Sequence, residues 1–423
     1  MITTLIVLFV AGYTFIVLEH YVKVDKTAIA LLTGVTCWAV FMLSGADTSW
    51  VTDQLLKHLS DTAGILFFIM GAMTIVELID AHDGFRTITD AITTRSDKKI
   101  LWITAGITFF MSALLDNLTT TIVMVTLLSK VTTNKKNFKL LASMVIIAAN
   151  AGGAWTPIGD ITTTMLWIGG QISSFVTIRE LLLPSLVCTL IPLIVLTFFI
   201  APTGTVLESK PSTVSKLSST ERTIVFFLGL GALLFVPLFK AITHLPPYMG
   251  MLFGLGIMWI IIGIMHTGKD EEEQSDYSVA SALRRIDLST ILFFLGILLC
   301  IAALQSSGIL HAAAQYLERT LHNQHSIVLV IGLLSSIVDN VPLTAAVMGM
   351  YNLSSYPMNH ELWQFLAYAV GTGGSCLIIG SAAGVTAMGM AKIDFMWYLK
   401  RIMPLALLGY LAGAGCFILL RSL

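Results

Sequence analysis

Two Asp-Asn pairs lie in the middle of apolar stretches of this chain, about half its length apart. They are Asp116-Asn117 in MSALLDNLTTTIVMVTLL and Asp339-Asn340 in GLLSSIVDNVPLTAAVMGM. Each is followed by a Gly-Gly inside a further apolar stretch: Gly152-Gly153 in NAGGAWTPIGDITTT and Gly373-Gly374 in GTGGSCLIIGSAAGVT. An isolated carboxylate at membrane depth costs roughly 2.5–3.5 kcal/mol on insertion scales. Two of them in matched frameworks point to an ion site built from an internal duplication.

The rest of the chain fits a bilayer. Only 12% of its 423 residues are charged and 56% are apolar, with a mean hydropathy of +0.85, whereas soluble domains carry about 25% charged residues. Apolar runs of about 20 residues recur along it, so the fold class is an all-α polytopic membrane protein. The net charge of −1 offers nothing to nucleic acid. The five cysteines fall in apolar spans without CxxC or Cys/His ligand spacing and read as small buried side chains; no cofactor is called for. The N-terminus lacks a basic n-region and a small-residue cleavage site, so residues 2–18 read as a retained helix.

Spans are expected near 2–18, 27–45, 61–80, 139–170 and 181–201, and again near 222–240, 248–265, 287–304, 361–390 and 396–420. This divides the chain into a first repeat (1–201), a polar cytoplasmic linker (202–221) and a second repeat (222–423). The Asp-Asn segments, 98–131 and 325–352, are too long for one span at 1.5 Å per residue. Each could be two crossings with a tight turn, or a re-entrant hairpin. An Asp-Asn tip between apolar arms is a poor aqueous loop and a good buried one, which favours the hairpin. When loops are assigned to alternating sides, all of the 24 basic residues fall on one side except Lys57, Arg179, Lys240, Arg319 and Arg421. That side is the cytoplasm, and both termini are then outside. Five crossings per repeat is an odd number, so the second repeat is inverted and the hairpin tips meet near the midplane. Two amphipathic stretches, 85–94 and 311–320, fit helices lying flat on the membrane, and the acid run Asp270–Glu273 fits a solvated cytoplasmic loop.

The fourth span of each repeat, 139–170 and 361–390, cannot be an uninterrupted helix. Gly152-Gly153 with Pro157 in the first, and Gly371-Thr372-Gly373-Gly374-Ser375 in the second, favour an unwound turn. Unwound backbone at this depth is tolerated where it lines a cavity, and it exposes carbonyl oxygens and half-helix ends. The side chains around the breaks are hard oxygen donors: Asp116, Asn117, Thr119, Asn150, Thr156, Asp160, Thr162 and Thr163 in the first copy, and Asp339, Asn340, Thr372 and Ser375 in the second. Such donors suit hard cations. Asp160 is unmatched, its aligned position being Ser381. With Asp116 and Asp339 it makes three carboxylates able to crowd one cavity, where a proton and a metal cation would compete. Glu77 and Ser381 are candidates for the pathway, and His82 is the best-placed imidazole for sensing pH.

The segments SALLDNLTTTIV, NAGGAWTPIGDITTTMLW, SSIVDNVPLTA and GTGGSCLIIGSAAGV resemble the NhaD-type sodium/proton antiporters of the ion transporter superfamily, in an order that extends over nearly the whole chain. The resemblance implies a homodimer with a scaffold of early spans and an elevator-type moving unit of hairpin, broken helix and last span. By motif it implies functional positions at Asp116, Asn117, Asn150, Asp160, Thr162, Thr163, Asp339, Asn340 and Ser375. The expected function is therefore exchange of cytoplasmic Na⁺ or Li⁺ for external protons in the inner membrane. The alternative is a sodium-coupled or arsenite-type anion carrier of the same superfamily. Against it stand the carboxylate-rich site and Asp-Asn where organic-anion carriers have Ser-Asn-Thr. An intramembrane aspartyl protease fails on its Gly-x-Gly-Asp signature, since Pro157 holds the first position here.

Overall fold

The computed structural model of the chain describes residues 2–45, 47–86, 96–132, 134–200, 218–267, 277–321 and 323–422. Most of the amphipathic stretch expected over 85–94, most of the linker expected over 202–221 and the acid run Asp270–Glu273 therefore lie outside the described residues. The described residues form helices α1 (Ile2–Val17), α2 (Glu19–Val22), α3 (Lys26–Leu43), α4 (Thr48–Ala81), α5 (Asp97–Leu115), α6 (Asn117–Val131), α7 (Lys135–Gly153), α8 (Ile161–Ile168), α9 (Ser174–Phe199) and α10 (Ser219–Thr243). They continue as α11 (Pro247–Met265), α12 (Val279–Arg285), α13 (Leu288–Ser306), α14 (Ile309–Leu321), α15 (Gln324–Leu334), α16 (Asn340–Met350), α17 (Glu361–Gly373), α18 (Ala382–Ala391), α19 (Phe395–Arg401) and α20 (Met403–Ser422). Among the described residues there is no strand, and eight helices (α3, α4, α5, α9, α10, α11, α13 and α20) are long and apolar enough to cross a membrane.

Polar side chains set where many of these helices begin. Asp47 accepts from the Trp50 amide at 3.0 Å and Asn134 from the Lys136 amide at 2.9 Å, while Ser218 and Glu221 form a capping box at the start of α10. The cap at Asp47 starts α4 well ahead of the span expected over 61–80. At 34 residues the helix is about 51 Å long, against a hydrocarbon core of about 30 Å. Its first turns, with Asp53, Lys57 and Asp61, continue the helix where apolarity has stopped. The apolar run marks the membrane-buried part of a helix rather than its ends. The 311–320 stretch is helical, as part of α14.

Two groups of helices pack among themselves. In the first, α3 lies along α13, α11 along α4, α1 along α3, α10 along α11, and α4 along α13. Its seams include a Trp38 Nε1 donation to the Leu299 carbonyl at 2.8 Å and a bond between the Thr27 and Ser289 hydroxyls at 2.8 Å. His82 at the end of α4 is buried beside His266 at the end of α11, with Nε2 atoms 3.1 Å apart. In the second group α5 and α6 pack on α7, α15 and α16 on α17, α6 on α18, α8 on α16, and α9 on α20. The groups meet where α13 touches α16, α4 touches α8, and α10 touches α5. The segments expected as hairpins, 98–131 and 325–352, hold the helix pairs α5–α6 and α15–α16, and those expected as broken helices, 139–170 and 361–390, hold α7–α8 and α17–α18. The arm α5, at 19 residues, is as long as a full crossing.

Candidate functional site

The chain turns from α5 into α6 on a single residue. Asp116 has φ 77° and ψ 159°, a region normally left to glycine, in which a side chain costs of order 1–3 kcal/mol. Its carboxylate holds the turn: Oδ1 accepts from the Thr119 amide at 2.8 Å and Oδ2 from the Thr119 hydroxyl at 2.9 Å. The second tip is gentler. Helix α15 ends at Leu334, and Asp339, at φ −50°, caps α16 by accepting from the Val341 amide at 3.1 Å.

Each hairpin is fastened to its broken helix in the same way. Ser112 donates to the Ala149 carbonyl at 2.6 Å, and Ser335 to the Val370 carbonyl at 2.9 Å. Beside these bonds, Gly152 runs against the main chain of Phe109 and Gly373 against that of Gly332, so closely that a Cβ at either glycine would collide with backbone. Helix α7 stops at Gly153 and α8 restarts behind Asp160, whose Oδ1 accepts from the Thr162 amide at 3.0 Å. Helix α17 stops at Gly373 and α18 restarts behind Ser381, whose Oγ accepts from the Gly384 amide at 3.1 Å. Asp160 and Ser381 thus perform the same capping task in the two halves.

A buried chain of side chains joins the two breaks. Asn117 Nδ2 donates to Asp160 Oδ2 and to Asn150 Oδ1, each at 3.1 Å, and Asn150 Nδ2 donates across to Ser381 Oγ at 3.0 Å. None of the four residues is more than 8% exposed. Among the described residues, no three His, Cys, Asp or Glu side chains converge as a metal cluster. A cation held here would therefore draw on amide, hydroxyl and carbonyl oxygens besides a carboxylate. The hydroxyls of Thr120 and Thr121 and the Asn340 Oδ1 atom are buried without a hydrogen-bond partner. Such atoms cost about 1–3 kcal/mol each unless something meets them.

The other expected site residues take more local roles. Thr156 donates to the Ala113 carbonyl, tying the break to the hairpin, and Thr163 donates to the Asp160 carbonyl at 2.8 Å. The hydroxyls of Thr372 and Ser375 donate at 2.6 Å to carbonyls of their own segment, at Tyr368 and Thr372, and the Ser375 carbonyl accepts from Tyr398 Oη at 2.7 Å. Glu77 pairs with Arg285 of α12 at 3.9 Å. Trp155, in the broken segment, stacks on Phe109 with ring centroids 5.9 Å apart, and the sequence reading did not single out Ser112 or Ser335. The identical spacing from Ser112 to Asp116 and from Ser335 to Asp339 is the one signal that could have found the two serines.

The family model described as Citrate transporter matches residues 13–370. The chain is 47% identical to Sodium/proton antiporter 1 of Arabidopsis thaliana, over 98% of this chain and 72% of the relative. It is 46% identical to Sodium/proton antiporter 2 of the same plant, over 98% of this chain and 99% of the relative. It is 32% identical to the Na(+)/H(+) antiporter NhaD of Vibrio cholerae, over 98% and 91% respectively. These are carriers rather than enzymes, in keeping with a multi-pass chain whose central polar groups lie on broken helices. The chain belongs to the citrate-transporter family and, within it, to the NhaD-type sodium/proton antiporters.

Proposed function

We propose that this protein exchanges cytoplasmic Na⁺ or Li⁺ for external protons, using Asp160 with Asp116 and Asp339 as groups that carry either a proton or a cation. The observation that carries this reading is the buried Asp160–Asn117–Asn150–Ser381 chain, in which one carboxylate is held at a helix break between hard oxygen donors. A bound proton and a bound cation neutralise the same charge, so each lowers the affinity for the other, and that competition is the chemical requirement for exchange. The orphaned oxygen of Asn340 is a candidate to complete the cation's shell.

The rest of the reading follows from alternating access. The doubled hairpin fastenings and the paired seams α3–α13 and α11–α4 support two inverted repeats, 1–201 and 222–423, around one central site. The first packing group would be the scaffold of an inner-membrane homodimer with both termini outside, and the second would move against it as an elevator. The rival reading, an anion carrier, draws on the family's description as Citrate transporter. It sits poorly with a central carboxylate whose hydrogen bonds come from amides, with no Lys or Arg among them.

The test is proton movement in inside-out vesicles on addition of Na⁺, Li⁺, K⁺, arsenite or succinate in turn. Na⁺ and Li⁺ are expected to collapse a preformed proton gradient. Asp160→Asn is expected to abolish that response while leaving the protein inserted and folded. Normal exchange by Asp160→Asn at every pH would reduce Asp160 to a helix cap.

A further inference from the structure

Lys240 lies in the last turn of α10, in the first packing group, and reaches α8 in the second. Its Nζ donates to the main-chain carbonyl of Trp167 at 2.9 Å and lies 4.6 Å from the centroid of the Trp167 ring. The ring is 1% exposed and also meets Phe68 of α4 edge-on, with centroids 6.3 Å apart. The carbonyl belongs to the last turn of α8, where it also accepts from the Gly170 amide at 3.3 Å and where the helix dipole favours a cation. Helix α8 has only eight residues, about 12 Å of length. Asp160 caps its other end. The short helix is therefore held by an acid at its start and by the ammonium of another helix at its finish.

We propose that Lys240 is a positioning residue for ion exchange: it anchors α8, and through it Asp160, in the arrangement described, and it releases α8 when the cycle carries Asp160 to the opposite side. This rests on the exchange reading above. The link is one flexible side chain meeting one carbonyl and one ring face, whereas the α3–α13 seam is a long apolar contact carrying several polar bonds. The Lys240 link can open and re-form without repacking a core.

The contact can be locked. Lys240→Cys combined with Ile168→Cys, bridged by a reducible bis-methanethiosulfonate reagent in vesicles, is compared with each single variant. Bridging is expected to lower Na⁺-driven proton movement at least ten-fold, and reductant to restore it. Full-rate exchange by the bridged protein would show the contact to be static and overturn the proposal. Should the double variant be inactive before bridging, Lys240→Met and Lys240→Arg decide. The Met variant, folded in normal yield, is expected to shift the apparent KM for Na⁺ at least three-fold, and Arg to restore it. An unchanged KM and maximal rate in Lys240→Met would overturn the anchor. Absence of Na⁺-driven proton movement in the unmodified protein would overturn the exchange reading and the anchor with it.

Discussion

Ser381 shows how much one hydroxyl can hold. Its oxygen caps α18 through the Gly384 amide and also accepts the only bond made between the two halves by Asn150 among the described residues. Loss of a serine cap costs about 1 kcal/mol, and a buried amide left without its acceptor about 1–3 kcal/mol. Ser381→Ala is therefore expected to lower the thermal stability of the purified protein by about 2–4 kcal/mol, and Ser381→Asp, which can accept both bonds, to recover most of it. An alanine variant that melts like the parent would mean that the bond is idle. Position alone identified Ser381 as the counterpart of Asp160, because the two Gly-Gly motifs align. It could not reveal the partner, since Asn150 is 231 residues away and helical periodicity carries no information across that distance. The same reason kept Lys240 and its Trp167 carbonyl out of view: both sit at helix ends that read, from sequence, as ordinary loop flanks.

At the scale of elements, the breaks were legible because they depend on local chemistry. Gly152-Gly153 and Pro157 cannot continue a helix, and the helix stops at Gly153. The second break, without a proline, stops at Gly373, one position short of the residue aligned with Gly153, so glycine and a capping residue suffice. What the sequence left hidden is why both glycines are needed: each is the crossing point of hairpin and broken helix. A methyl at Gly152 would meet the Phe109 backbone, and one at Gly373 the Gly332 backbone, neither of which can yield as a side chain does. Overpacking of this kind costs about 1–3 kcal/mol. Gly152→Ala and Gly373→Ala are each expected to lose about that much in thermal melts. Gly106→Ala, in the middle of α5 with open space around it, is expected to be neutral or to gain about 0.5–1 kcal/mol from helix propensity. Equal behaviour of the three would mean that the crossing is loosely packed.

For the whole molecule, the question is whether two hairpins serve one site or two. The side-chain chain from Asp160 through Asn117 and Asn150 to Ser381 passes from one half into the other. Groups that share a field and a hydrogen-bond network do not act additively. The halves are nonetheless unequal. Asp116 forms the strained single-residue turn and touches the network through its neighbour Asn117, while Asp339 caps a relaxed helix start and its neighbour Asn340 keeps an unpartnered oxygen. Asp116→Asn is therefore expected to reduce Na⁺-driven proton movement more than Asp339→Asn, the latter retaining weak exchange with an altered pH dependence. The double variant should be little worse than Asp116→Asn alone. The measurement is exchange rate and Na⁺ affinity across pH for both single variants and the double, in vesicles with matched protein content. Two independent sites would instead leave about half the rate in each single variant, with losses that add in the double at every pH, and that pattern would refute a shared site.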